Sequence, residues 1–165
     1  MTEAKTISGK TNGANNASES SLRETVGISA EEFQSMGNMG AMFYEQGQFE
    51  KAQTIFEGML ELEPENDAVL SALGAVLTQQ RQDDEALIHL NKAIAINDSE
   101  IASFVNRAEV LLRQSEFERA VEDLTEAIRL DPQEKDAGAN RARAMVLGIH
   151  QMIEAQKAQQ AAENN

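Results

Sequence analysis

The chain of 165 residues contains no cysteine and no tryptophan. The first absence removes disulfide frameworks and thiolate metal sites together. Only two prolines interrupt the chain, and aromatic residues make up 4% of it. Few helix breakers and abundant Ala, Glu, Gln and Leu favour helices, where these side chains lose little rotamer freedom. Positive charge is scarce as well: 14 Lys and Arg stand against 28 Asp and Glu, a net charge of −14. No basic cluster exists to neutralise a run of phosphates, so a nucleic-acid role is disfavoured, and the acid reads as solvated outer surface. Long apolar runs are missing too. No segment reaches the about 18 residues of a membrane span, and MTEAKTISGKTNGANN has none of the apolar stretch of a signal peptide. The expectation is one all-α domain in the cytoplasm.

What the sequence has is a period. Ala52, Ala86 and Ala120 stand 34 residues apart, and the pattern of small and large residues around each is the same. Counted from Phe33, Asp67 and Ile101, the eighth position holds Gly40, Gly74 and Ala108, where two helices of a hairpin approach too closely for bulk. Position eleven holds Phe43, Leu77 and Leu111, and position twenty-four holds Phe56, Leu90 and Leu124, residues that fill the space between helices. Position seven holds Met39, Leu73 and then Arg107, which departs from the apolar rule. Pro64 and Pro132 close the first and third repeats, with Asp98 in that place in the second.

This is the spacing of a tetratricopeptide repeat, in which each unit is a helix hairpin unable to bury its own apolar face. It predicts a right-handed α-solenoid of three repeats, residues 33–66, 67–100 and 101–134, within a region 29–133. The helices are expected at about 30–46, 49–62, 67–80, 83–96, 101–114 and 117–130. A capping box, Ser29 with Glu32, opens the first. A capping helix over 134–158 begins like a fourth repeat, and residues 159–165 read as a frayed end. Residues 1–20, almost without large apolar side chains, read as a disordered tail. Residues 21–28 form a short helix with Leu22 and Val26 four apart on one face.

Catalytic chemistry is not legible. His89 and His150 lie on separate helices with no nucleophile or base at a readable spacing. Gly37 and Gly40 sit inside a helical pattern, and no phosphate-loop string exists. The run Glu61, Glu63, Glu65 and Asp67 lacks the order of a calcium loop. No enzyme, metal or cofactor is expected.

The remaining candidate is the concave groove, which positions two, five, nine and twelve of each first helix line because they are co-facial. These are Gln34, Gly37, Ala41 and Tyr44, then Ala68, Ser71, Ala75 and Thr78, then Ala102, Val105, Glu109 and Leu112. Most are small, so the surface admits the backbone of an extended peptide, with Tyr44 as the anchor. None is the Lys, Asn or Arg that a clamp for a C-terminal carboxylate requires, and only Asn106 is near.

The chain layout resembles the class II chaperones of bacterial type III secretion, which hold translocator proteins before export. The likeness lies in Ile28-Ser29, in Tyr44-Glu45-Gln46-Gly47-Gln48-Phe49-Glu50-Lys51-Ala52 and in Ala108-Glu109-Val110-Leu111-Leu112, and it spans roughly residues 20–155. It implies a client segment in the groove and a homodimer through Leu22 and Val26. It also implies several aromatic residues in the first repeat's groove. Tyr44 matches one, while Gly37 and Ala41 stand in the other places. The alternative is a general tetratricopeptide adaptor that scaffolds a protein complex.

Overall fold

The computed structural model describes residues 21–163, so the tail expected over residues 1–20 lies outside the described part. The chain forms α1 (Leu22–Thr25), α2 (Ala30–Glu45), α3 (Phe49–Leu62), α4 (Asp67–Gln79), α5 (Asp83–Ile96), α6 (Ile101–Arg113), α7 (Phe117–Leu130) and α8 (Ala137–Glu163). The first helix of each hairpin starts on a side-chain cap. Ser29 and Glu32 close the capping box, with the Glu32 amide donating to Ser29 Oγ at 3.1 Å and the Ser29 amide to Glu32 Oε2 at 2.9 Å. Asn66 accepts from the Val69 amide, and Glu100 does the same for the Ser103 amide.

Each hairpin turns in the same way. The amides of Gln48, Gln82 and Glu116 donate to the carbonyls of Phe43, Leu77 and Leu111 at 2.8, 3.0 and 2.9 Å. That closure needs a left-handed residue one position earlier. Gly47 supplies it without strain at φ 70°, whereas Arg81 and Ser115 adopt φ 63° and 62° with a side chain present.

Helices α2 with α3, α4 with α5, and α6 with α7 pair as hairpins, and α3, α5 and α7 each pack on the helix that follows. The first helices also adjoin one another in series, α2 to α4 to α6 to α8, while the second helices do not. The first helices therefore form the inner, concave layer of an α-solenoid.

The closest approach within a hairpin is at position eight. A Cβ at Gly40 would stand 2.7 Å from the Phe56 ring, and one at Gly74 would stand 2.6 Å from Leu90. Ala52, Ala86 and Ala120, whose spacing fixed the register, are fully buried. The core forms two clusters, one centred on Phe56, Leu73, Leu77 and Leu90 and the other on Phe104, Leu111, Leu124 and Ala142.

Arg107 is the polar exception at position seven. Its Nε and Nη2 donate to Asp123 Oδ2 and Oδ1 at 2.8 and 2.6 Å, and its Nη1 donates to Asn91 at 2.8 Å. Asp123 is buried, so this bidentate pair replaces apolar packing at the junction of the second and third hairpins.

The final helix starts later and runs further than the pattern implied. Asp131 accepts from the amides of Lys135 and Asp136, and Glu134 turns left-handed at φ 56°, so the chain completes a turn before α8 begins at Ala137. Past Ile153, the helical propensity of Ala, Gln, Lys and Glu and the Glu154–Lys157 ion pair at 3.0 Å accompany the helix to Glu163.

Candidate functional site

The sequence-derived groove residues lie on α2, α4 and α6, the inner layer, but not all of them are exposed. Gln34, Ala41, Ala68 and Ala102 are exposed, and Gly37, Tyr44, Ala75, Glu109 and Leu112 are half-buried. Ser71, Thr78 and Val105 lie beneath. Ser71 Oγ donates to Glu100 Oε2 at 2.7 Å, tying α4 to the start of α6. Thr78 Oγ1 donates back to the Gly74 carbonyl at 2.8 Å. Val105 is packed into the second core cluster, where α8 crosses it at Gly138. These three shape the wall rather than present a side chain to a ligand.

Tyr44 stands edge-on to Phe49 with ring centroids 5.6 Å apart, which fixes its ring. Burial raises its phenol above the ordinary tyrosine range, an effect offset in part by the nearby Arg141 and by Gln79 and reinforced by Glu109. Groups from α2, α4, α6 and α8 thus share one electrostatic neighbourhood. The phenol stays a neutral hydrogen-bonding group throughout the physiological range.

Sequence reasoning missed the cations of this neighbourhood. Arg113, one position past Leu112, donates through Nε to both Asp83 oxygens at 3.1 Å and through Nη2 to the Thr78 carbonyl at 3.2 Å. Its Nη1 reaches Glu109 Oε1 at 3.1 Å. Arg141, on α8, donates to the other oxygen of Glu109. The signal was present in the start of a fourth repeat, which places α8 in the concave layer.

The short N-terminal helix is held by Arg23 rather than by its apolar pair. Arg23 donates to Glu63 and to the Ile28 carbonyl, and its guanidinium lies over the Phe33 ring. Leu22 and Val26 remain 50% and 56% exposed. Met39 and Met42 on α2 are exposed as well. No group of three or more His, Cys, Asp or Glu suited to a metal occurs among the described residues, and no described helix is long and apolar enough to cross a membrane.

Two family models, both described as tetratricopeptide repeat, match residues 43–107 and residues 105–147. The chain belongs to the tetratricopeptide repeat proteins. No curated protein sequence matches it significantly. This tetratricopeptide repeat protein is similar in structure to the type III secretion translocator chaperone SycD of Yersinia enterocolitica. The TM-score is 0.70 at 20% identity, covering 78% of this chain and 97% of that one. It is similar to PcrH in complex with the chaperone-binding region of PopB, with TM-score 0.65, 23% identity and coverage of 72% and 98%. It is also similar to the first tetratricopeptide domain of Spaghetti (RPAP3) bound to an HSP90 peptide, with TM-score 0.62, 17% identity and coverage of 74% and 96%. At these identities the likeness is one of fold.

Proposed function

We propose that this tetratricopeptide repeat protein is a non-enzymatic, cytoplasmic secretion chaperone that holds an extended segment of a translocator client in its concave groove. The observation that carries the reading is the groove itself: exposed small residues along α2, α4 and α6, with Tyr44 rigid at one side and Leu112 at the other. Such a surface admits a peptide backbone and accepts side chains between its ridges. The fold likeness to translocator chaperones over nearly their full length supports the same reading. In this scheme residues 29–133 are the binding body, and the helix that follows caps it. Gly37 and Ala41 widen the pocket beside Tyr44, which suits a bulkier client side chain.

Leu22 and Val26, which remain exposed, form the surface for a homodimer, and the exposed Met39 and Met42 on α2 offer further apolar area. A general adaptor role is the second reading, favoured by the fold likeness over 74% of this chain to the Spaghetti (RPAP3) domain bound to an HSP90 peptide.

The deciding measurement is co-purification with a co-expressed translocator encoded beside this chain. Tyr44→Ala and Glu109→Ala should each reduce the amount of client recovered. Unchanged recovery with both would remove the groove from the mechanism.

A further inference from the structure

We propose that Glu109 is a receptor for a lysine or arginine side chain of the bound segment, and that Arg141 occupies this receptor as an internal stand-in until the segment arrives. This rests on the groove reading above and names the chemistry that the third repeat selects.

The two arginines on Glu109 are not equivalent. Arg113 is fixed: its guanidinium is committed to Asp83, to the Thr78 carbonyl and to Glu109 Oε1, and its side chain is 16% exposed. It belongs to the wall, and it orients the Glu109 carboxylate. Arg141 comes from α8, its side chain is 46% exposed, and its guanidinium has one hydrogen-bonded ion-pair partner, Glu109 Oε2. A bond of that kind, between an exposed guanidinium and a half-buried carboxylate on different helices, is weaker than the Arg113 network and exchangeable.

Charge decides what exchanges with it. A client carboxylate would approach a chain of net charge −14 and find Arg113 already paired with Asp83 and Glu109. To capture Arg141 it would also leave Glu109 with one partner fewer. A client ammonium or guanidinium, by contrast, replaces Arg141 one for one. The pairing of Glu109 with two cations is kept, and Arg141 is released into water. Tyr44 and Gln79, in the same neighbourhood, then face the neutral part of the segment. The acidic surface raises the local concentration of such a basic segment.

The test needs no identified client. Nα-acetyl-lysine amide, with a free side-chain ammonium, is titrated into the full chain at fixed ionic strength. The amide resonances of Glu109 and Leu112 and the Arg113 Nε resonance are followed by NMR. Arg141→Ala should lower the titration midpoint by about two- to fivefold, the factor that a weak exposed ion pair is worth. Glu109→Gln should abolish the saturable shift, and the neutral Nα-acetyl-norleucine amide should not move these resonances. Arg141→Gln, which keeps the stem without the charge, should act like Arg141→Ala. It guards against a packing artefact.

The proposal fails if the midpoint is unchanged in both Arg141 variants, if norleucine amide binds as well as the lysine probe, or if Nα-acetyl-glutamate amide binds more tightly. Failure here leaves the groove reading standing, since that depends on loss of client recovery with Tyr44→Ala. Conversely, a lysine response with client recovery unchanged in both Tyr44→Ala and Glu109→Ala would keep the cation site and remove the extended-segment reading.

Discussion

The first hairpin and the second share one sequence pattern, yet they are packed very differently. Helix α2 buries only Phe33 and Gly40, whereas α4 buries eight of its 13 residues. The equivalent positions make the cause plain. Val69, Leu73 and Val76 on α4 are buried behind the first hairpin, but Ser35, Met39 and Met42 on α2 have no hairpin before them among the described residues and remain exposed. In a stack where each unit touches only its neighbours, burial belongs to the interface and not to the repeat. The first hairpin is therefore free to offer its surface, and the second is the structural centre.

The largest test of this contrast lies at position seven. Leu73→Ala should cost about 2–5 kcal/mol, the range for a fully buried leucine, while Met39→Ala, nearly half exposed, should cost well under about 1 kcal/mol. Chemical denaturation of the two variants compares them directly. Equal losses would mean that Met39 is covered in solution, as the proposed dimer requires, and dilution should then separate the two explanations.

The third repeat uses the same position for an ion pair. Arg107→Leu restores the apolar pattern but strands the buried Asp123, so a loss of about 3 kcal/mol is expected. Arg107→Leu combined with Asp123→Leu should recover most of that loss, because two well-packed apolar residues often match a buried pair. A double variant as unstable as the single one would show that Asn91, the third member of the network, also depends on Arg107.

These elements also show what a sequence can and cannot carry. Helix starts, hairpins and the solenoid were legible because small residues recur where backbones nearly touch, as at Gly40 and Gly74. The groove was only partly legible. Positions two, five, nine and twelve name a helix face, but how far each residue is covered depends on the neighbouring helix. Hence Ser71 and Val105 are buried while Ala68 and Ala102 are not. Arg141 escaped because the start of a fourth repeat places α8 in the concave layer but does not say which of its side chains reaches Glu109.

Glycines differ in sign by what faces them, not by hairpin: Gly40 and Gly74 both face a buried side chain, and Gly58 faces open space. Gly74→Ala drives a methyl into Leu90 and should cost about 1–3 kcal/mol by overpacking. Gly58→Ala meets open space within α3 and should stabilise by about 0.5–1 kcal/mol. Hydrogen exchange adds the regional reading. Amides over residues 33–62 should exchange faster than those over 101–130, and Gly58→Ala should narrow the gap. Equal protection in the unaltered protein would mean that the end hairpin is as cooperative as the inner ones.

The smallest expected effect sits at the joint between the two compared hairpins. His89 on α5 is half-buried, and burial lowers its pKa below the ordinary histidine value. Glu85 on its own helix and Glu57 on α3 raise it in part, while Lys92 lowers it further. The folded form thus favours the neutral ring, so the unfolded chain binds more protons in the interval between the two pKa values. The stabilisation is complete above the unfolded value near 6.5 and declines as pH falls through the lowered one. A small drop in the urea midpoint is expected between about pH 7.5 and about pH 5.5, a window above the carboxylate range. His89→Gln should flatten that drop. If the slope persists in the variant, the proton is taken up elsewhere, and the joint between the first and second hairpins is insensitive to pH.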